Sequence, residues 1–306
     1  MTAQILAIQG GLAGMFEQPF LQNAFVAGTC IAAACGLVGY FLVLRSQVFT
    51  ADALSHVAFT GALAALAFGI DLRLGLFVAT VGVGLFMGTL EPRGRADDVV
   101  VGSVFAWVLG LGALFLTIYT TSRSTGNGTA GVNVLFGSIF GLSQSQAWTA
   151  AGVAVGIVVV VCIVARPLLF SSIDVDVADA RGVPVRLIGF VFLGVVGACA
   201  AEATQAVGAL LLLGLLAAPA GAAHRLTGRP VVAMVLASAL AVGDMWAGLA
   251  LSYWAPKLPP SFAILAVATA VFLGVLVVTQ LRSRQPGHVP DESIVSIRST
   301  EAHGRG

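Results

Sequence analysis

The sequence predicts an all-α polytopic membrane protein with eight or nine transmembrane helices. Three observations carry this. Hydrophobic residues make up 58% of the 306, with a mean hydropathy of +0.99. Charged side chains supply only 9%, against roughly 25% in soluble domains. Apolar runs of the roughly 20 residues that a bilayer crossing needs recur along the chain. So few charges cannot shield so much apolar surface from water, which excludes a cytosolic enzyme, a nucleic-acid binder and a disordered chain. The net charge of +1 points to no partner.

Taken in order, the predicted spans fall at 20–44, 50–70, 74–90, 98–120, 146–165, 231–251 and 262–281. Between the fifth and sixth of these lies the stretch 187–224. As one helix it would measure about 57 Å, too long for one crossing. The expected division is near Glu202, which adds two more spans. The apolar piece 132–142 is too short to cross and reads as a re-entrant or interfacial segment, tolerable only when surrounded by protein or water. The Ser/Thr/Gly-rich stretch 122–131 reads as an exposed flexible connection. Residues 1–281 form one transmembrane domain, and 282–306 a disordered tail. Gly84/Gly88, Gly137/Gly141 and Gly152/Gly156 are small pairs four apart that permit close helix packing.

Ten arginines at span ends (45, 93, 95, 166, 181, 186, 225, 229, 282 and 284) fall on one side, with Arg73, Arg123 and Lys257 on the other. The positive-inside bias makes the first side cytoplasmic and places the C-terminus there. No basic segment precedes an apolar stretch within the first twenty residues, so no cleavable signal peptide is expected. The four cysteines, Cys30, Cys35, Cys162 and Cys199, all sit in apolar runs. They read as small buried hydrophobes rather than as disulfides or a thiolate metal site.

Ionisable groups at membrane depth are functional candidates by default, and here they are Asp52, His56, Glu202 and Asp244. Asp52 and His56 are four apart, so a helix places them on one face. Ser55 borders that face, and Thr60 extends it by a turn. His56 lies about 16 Å along the axis from Arg45, near mid-membrane. Carboxylate oxygen plus imidazole nitrogen is a ligand set for Mn²⁺, Fe²⁺ or Zn²⁺. Spacing alone leaves open a hydrogen-bonded pair tying two helices together, or a proton relay. Glu202 reads as either a turn carboxylate or a ligand or gate at the passage mouth. Asp244 either lines an outward cavity or pairs with a neighbouring polar group. His224, beside Arg225, reads as a surface residue, and Pro219 as a kink.

The only lysine is Lys257, so the chain has no phosphate loop ending in Gly-Lys-Ser/Thr. The energy comes either from an ion gradient or from a separate ATPase. The connection 166–186 carries Asp174, Asp176, Ala178, Asp179, Arg181, Gly182 and Val183. Ser172 or Asp174 caps a short helix there that ends at Gly182, with Pro184 just beyond. Such a helix along the membrane face is either a contact for a motor subunit or a solvated loop.

The run 42–56 (LVLRSQVFTADALSH) resembles the signature of permease subunits of the zinc/manganese/iron ABC importers. The similarity continues at 98–102 (DVVVG), 134–143 (VLFGSIFGLS), 178–184 (ADARGVP) and 205–223 (QAVGALLLLGLLAAPAGAA), so it covers roughly 18–281. The resemblance implies a homodimeric permease of the type II importer kind in a bacterial plasma membrane. It implies two cytoplasmic ATP-binding subunits, an extracytoplasmic solute-binding protein and no permanently bound cofactor. The cargo would be a divalent transition metal. Residues 178–183 match the family's coupling element, and Asp52 and His56 its intramembrane polar pair. Ala51 replaces the usual Gly, and Thr60 a common Pro. Glu202 and Asp244 stand where the family has small or weakly polar residues, so no family role passes to them; as added hard oxygens they would favour Mn²⁺ or Fe²⁺. The alternative is a gradient-driven secondary metal transporter.

Overall fold

In a computed structural model, the described residues are 18–90, 98–122, 134–209 and 212–283. The expected flexible connection from residue 123 on and the tail beyond 283 lie outside them, as do Arg93, Arg95 and Arg123. The helices are α1 (Pro19–Leu44), α2 (Val48–Phe68), α3 (Leu72–Leu90), α4 (Asp98–Ser122), α5 (Gln144–Ile173), α6 (Val175–Ala180), α7 (Val185–Val207), α8 (Leu212–Leu226), α9 (Pro230–Trp254) and α10 (Pro260–Ser283). No strand occurs among the described residues. Eight of the helices, all but α6 and α8, are long and apolar enough to cross a membrane.

α8, with 15 residues, measures about 22 Å and is shorter than the eight. It runs parallel to α1, where Gly39 meets Leu216 and the Tyr40 and His224 rings stack 4.5 Å apart. It also runs parallel to α10, with Gly214 against Leu265 and Gly221 against Phe272. The 187–224 stretch divides at Gly208, not near Glu202 as expected. The reason is conformational: Gly208 adopts φ 92 and ψ 156, a region open essentially to glycine alone. Its α-carbon also packs on the backbone of Leu135 to Gly137, leaving no room for a Cβ. Gly208→Ala is therefore expected to destabilise the protein by about 1–3 kcal/mol, read as a lowered unfolding temperature in detergent; an unchanged transition would refute this account of the break.

Of the piece 132–142, residues 134–142 form no long helix. A helical turn at 134–136 and a 3₁₀ turn at Ile139–Gly141 lie against the α7–α8 break. Ala209 N–H donates to the Val134 carbonyl at 3.2 Å, and Ser138 N–H to the Gln205 carbonyl at 3.2 Å. The Asn23 amide donates to the Leu142 carbonyl at 3.2 Å, and the Ser261 hydroxyl to that of Phe136. Protein thus satisfies the non-helical backbone, as a low-dielectric setting requires.

α5 outruns its predicted span, 146–165, at both ends. A capping box of Ser143 with Gln146 starts it. It continues past Pro167 to Ile173, where the Ser171 and Ser172 hydroxyls bond back to the Leu168 carbonyl. Arg166 therefore lies on a helix, and the connection before α7 is shorter than expected. Small residues set the central seams. A Cβ on Gly84 would lie 2.6 Å from the Leu193 carbonyl oxygen, and one on Gly36 2.5 Å from that of Ala237. Gly152 and Gly156 have nothing within 4 Å, so they are not a seam within this chain.

α1, α2 and α7 are the most buried helices, whereas α4, α5, α9 and α10 present apolar side chains outward, among them Trp107, Ile163, Val235 and Val277. Apolar groups facing out around an inner core suit hydrocarbon surroundings.

Candidate metal site

α2 carries the acid and the imidazole. It starts just past the Arg45 corner and is covered by α3, α4, α7 and α8 on its other sides. Its least covered stripe is Phe49, Asp52, His56 and Phe59: Phe49 is exposed, and the other three are half-buried. These follow an i, i+3, i+7, i+10 spacing, a single helical face. The His56 ring meets Phe105 of α4 edge-on at 5.2 Å. The two neighbours expected to extend the stripe do not. Ser55 is fully buried and donates to the Asp52 backbone carbonyl at 2.6 Å. Thr60 is buried and donates to the Val108 carbonyl at 3.1 Å. Short hydroxyls inside an apolar seam bond to the nearest carbonyl instead of presenting themselves to a passage.

Glu202 and Asp244 do not converge with Asp52 and His56; among the described residues no three His, Cys, Asp or Glu side chains stand together. Glu202 is 1% exposed on α7, and both its oxygens accept from Arg73 of α3, at 2.9 and 3.0 Å. A buried acid with a guanidinium partner can stay inside a helix, so the chain need not turn there. Asp244, 3% exposed on α9, has an Oδ2 without a hydrogen-bond partner.

Sequence reasoning missed several groups. Arg45, used only to orient the chain, is 4% exposed. It donates to the Gln47 amide oxygen at 3.1 Å and to the Ser172 hydroxyl at 3.3 Å, and lies over the Phe192 ring at 5.5 Å. It thus joins α1, α5 and α7 at one membrane face. His224 is half-buried against Tyr40, with its Nε2 3.1 Å from the Tyr40 carbonyl oxygen, rather than at the surface. At the opposite face, a cavity of about 170 Å³ lies between Leu72, Ser138, Gln146, Thr204 and Gln205. Thr204 Oγ1 and Gln205 Nε2 are buried without protein partners. Such polar lining suits water, with room for about five molecules. Only the Ser, Thr and Gln residues inside apolar runs hinted at it.

The short helix of the 166–186 connection is present as α6. Asp174 caps it, its carboxylate accepting from Val177 N–H at 3.0 Å. Gly182, at φ 80, ends the turn after Arg181. Ala178 is fully buried, and Val177 is 44% exposed. Beside α6, Asp176, Asp179, Pro184 and Arg186 border a groove of about 610 Å³. Ser172 does not cap α6; its hydroxyl is engaged by Leu168 and Arg45.

Known proteins are similar to this chain in sequence and in fold. The chain is 28% identical over 236 residues to "Manganese transport system membrane protein MntC" of Halalkalibacterium halodurans, covering 77% of this chain and 79% of that one. It is 27% identical to "Manganese import system permease protein ScaB" of Streptococcus parasanguinis, covering 78% and 84%. The fold matches that of a chain in "PsaBC from Streptococcus pneumoniae in complex with Fab", with a TM-score of 0.74 at 24% identity over 90% of this chain and 95% of that one. Residues 17–279 match the sequence profile described as the ABC 3 transport family. With nearly the whole helical bundle inside that match, the chain belongs to the ABC 3 transport family.

Proposed function

We propose that this chain is the permease subunit of an ATP-driven importer of a divalent transition metal, with manganese as the first candidate cargo. It works as a homodimer in a bacterial plasma membrane. Two ATP-binding subunits dock at the Arg45 face, a solute-binding protein delivers from the Arg73 face, and the C-terminus is cytoplasmic.

The observation that supports this best is the half-buried Asp52–His56 stripe on the least covered side of α2. An acid facing lipid at mid-membrane costs about 3 kcal/mol on insertion scales. A second copy placed against this face removes that cost and brings two carboxylates and two imidazoles together. Four oxygen and nitrogen donors without a thiolate suit Mn²⁺, which binds such ligands less tightly than later first-row metals do and so can leave again. The names of the two manganese relatives favour manganese over zinc or iron.

The chemistry belongs to the side chains. The delivered cation sheds water as the carboxylates of Asp52 replace part of its hydration, and neutral His56 nitrogens complete the shell. Release to the Arg45 face follows when the helices shift and the two stripes separate. α6 and its groove receive the motor: Asp174, Asp176, Ala178, Asp179, Arg181, Gly182 and Val183 form a capped, exposed helix followed by a tight turn, and Val177 supplies an apolar knob. Glu202 is assigned to the Arg73 pair, not to the ion. Asp244 is kept as a secondary ligand candidate because its buried oxygen lacks a partner.

The test uses the permease reconstituted in vesicles with its ATPase and binding protein. Manganese accumulation is expected to require ATP and to survive collapse of the proton gradient, whereas a secondary carrier gives the reverse. Val177→Asp is expected to abolish substrate-stimulated ATP hydrolysis in the same vesicles; full stimulation in that variant would remove α6 from the docking surface.

A further inference from the structure

Two of the four cysteines meet across a helix seam. Cys35 of α1 and Cys199 of α7 are 0% and 2% exposed, and their sulfurs stand 3.7 Å apart. Each thiol has the other as its hydrogen-bonding neighbour. Cys30 is half-buried and Cys162 is exposed.

The spacing has a chemical meaning. With metal–sulfur bonds of about 2.3 Å, two thiolates on one ion stand about 3.8 Å apart at a tetrahedral angle and about 4.6 Å apart when the ion lies in line between them. The sulfurs stand near the shorter of these separations, so an in-line two-coordinate ion seats once the α1–α7 seam opens by about 1 Å. No third His, Cys, Asp or Glu joins them among the described residues. A set of two sulfurs selects soft cations and holds hard Mn²⁺ poorly. Charge narrows the choice further. A divalent ion displaces both protons, M²⁺ + 2 RSH → M(SR)₂ + 2 H⁺, and leaves a neutral complex. A monovalent ion would leave a net negative charge in an apolar interior, where charge is costly.

We propose that Cys35 and Cys199 form a two-thiol clamp for a soft divalent cation of the Cd²⁺ or Hg²⁺ class, and that its occupancy staples α1 to α7 and arrests transport. α1 leads through the Arg45–Gln47 corner directly into the Asp52/His56 helix, and α7 follows directly from α6. The staple therefore joins the helix ahead of the site to the helix behind the motor contact. The arrest rests on the permease reading, whereas the clamp itself does not.

The experiment uses the full complex with Cys30→Ala and Cys162→Ala, titrated with mercuric chloride and separately with cadmium chloride. One ion per permease chain is expected to bind with a thiolate-to-metal charge-transfer band and to protect two thiols from a thiol reagent. Manganese uptake should be arrested at about a hundredfold lower metal concentration than after a further Cys35→Ala or Cys199→Ala change, the gain expected when a second ligand is already in place. Equal titration and equal inhibition with and without the pair would overturn the clamp, as would an ion that protects one thiol only. Should the added alanines prevent assembly, the thiol count on the protein retaining both cysteines still decides. Binding without arrest would overturn the staple, and absence of uptake in untreated vesicles would fail the permease reading while leaving the titration to judge the clamp.

Discussion

Replacing Asp52 or His56 with alanine is expected to cut manganese uptake by about two orders of magnitude, the equivalent of roughly 3 kcal/mol of lost ion stabilisation. The complex should still assemble. Neither side chain hydrogen-bonds to another helix among the described residues; His56 makes a ring contact with Phe105, and both positions are half-buried. Truncation therefore leaves no orphaned partner in the core, and its main consequence is chemical. In a homodimer each substitution removes two ligands at once, which is why the effect is large. Asp52→Asn separates charge from shape: it keeps the volume and one oxygen donor but loses the negative charge that offsets a dication. Its uptake should fall nearly as far. Isotope-labelled manganese counted in vesicles reads all three variants. Normal accumulation in the alanine variants would reject the ligand role, and loss of assembly without a specific transport defect would favour the helix-tie reading.

The second large effect is expected at the Arg73–Glu202 pair. Removing one partner of a buried ion pair typically costs about 3–5 kcal/mol, because the other charge is left without compensation. Glu202 is almost fully enclosed while the Arg73 side chain is 24% exposed, so the two ends are unequal. Arg73→Ala strands a carboxylate inside and should be the worse variant. Glu202→Ala leaves a guanidinium that can still reach water, and its cost should sit at or below the lower bound. The double variant should recover part of the loss. Thermal unfolding in detergent measures all three, and a cost below about 0.5 kcal/mol for Arg73→Ala, ordinary for a surface position, would show that the pair does not hold α3 to α7. Glu202→Gln tests the ligand reading of this acid: if it were an ion ligand, that variant would lose uptake while keeping most of its stability.

Much of the fold was legible because long apolar runs have few stable fates in a membrane. The helices at 98–122 and 260–283 differ from their predicted spans by only a few residues at either end. That 134–142 forms only short turns was legible from its length alone. The break after α7 was misplaced because a charge in an apolar run suggests a turn, whereas here a partner 129 residues away in sequence makes the charge tolerable within a helix. The true break rests on one backbone torsion at Gly208, in a chain with 37 glycines. At the site, the i, i+4 spacing placed Asp52 and His56 on one face. Spacing could not tell that Ser55 and Thr60 turn into the packing, since that depends on which carbonyl lies nearest. Arg45 shows the same limit: its position marked a membrane face, but its contacts with Ser172 and Phe192 exist only once three helices have come together. The meeting of Cys35 and Cys199 is of the same kind, because it depends on the α1–α7 register.

The junction of α5, α6 and α7 has a mechanical consequence. Asp174 ends α5, its N–H bonding to the Phe170 carbonyl at 3.2 Å, and the same residue opens α6 with its carboxylate. On the other side, Val183 N–H closes back on Ala178 at 3.1 Å within the turn that leads into α7. Between this knuckle and the two rods it joins there is almost no backlash. A stroke delivered at the knuckle reaches both rods with little lost travel, and along α7 it is carried to where that rod stops, at Gly208.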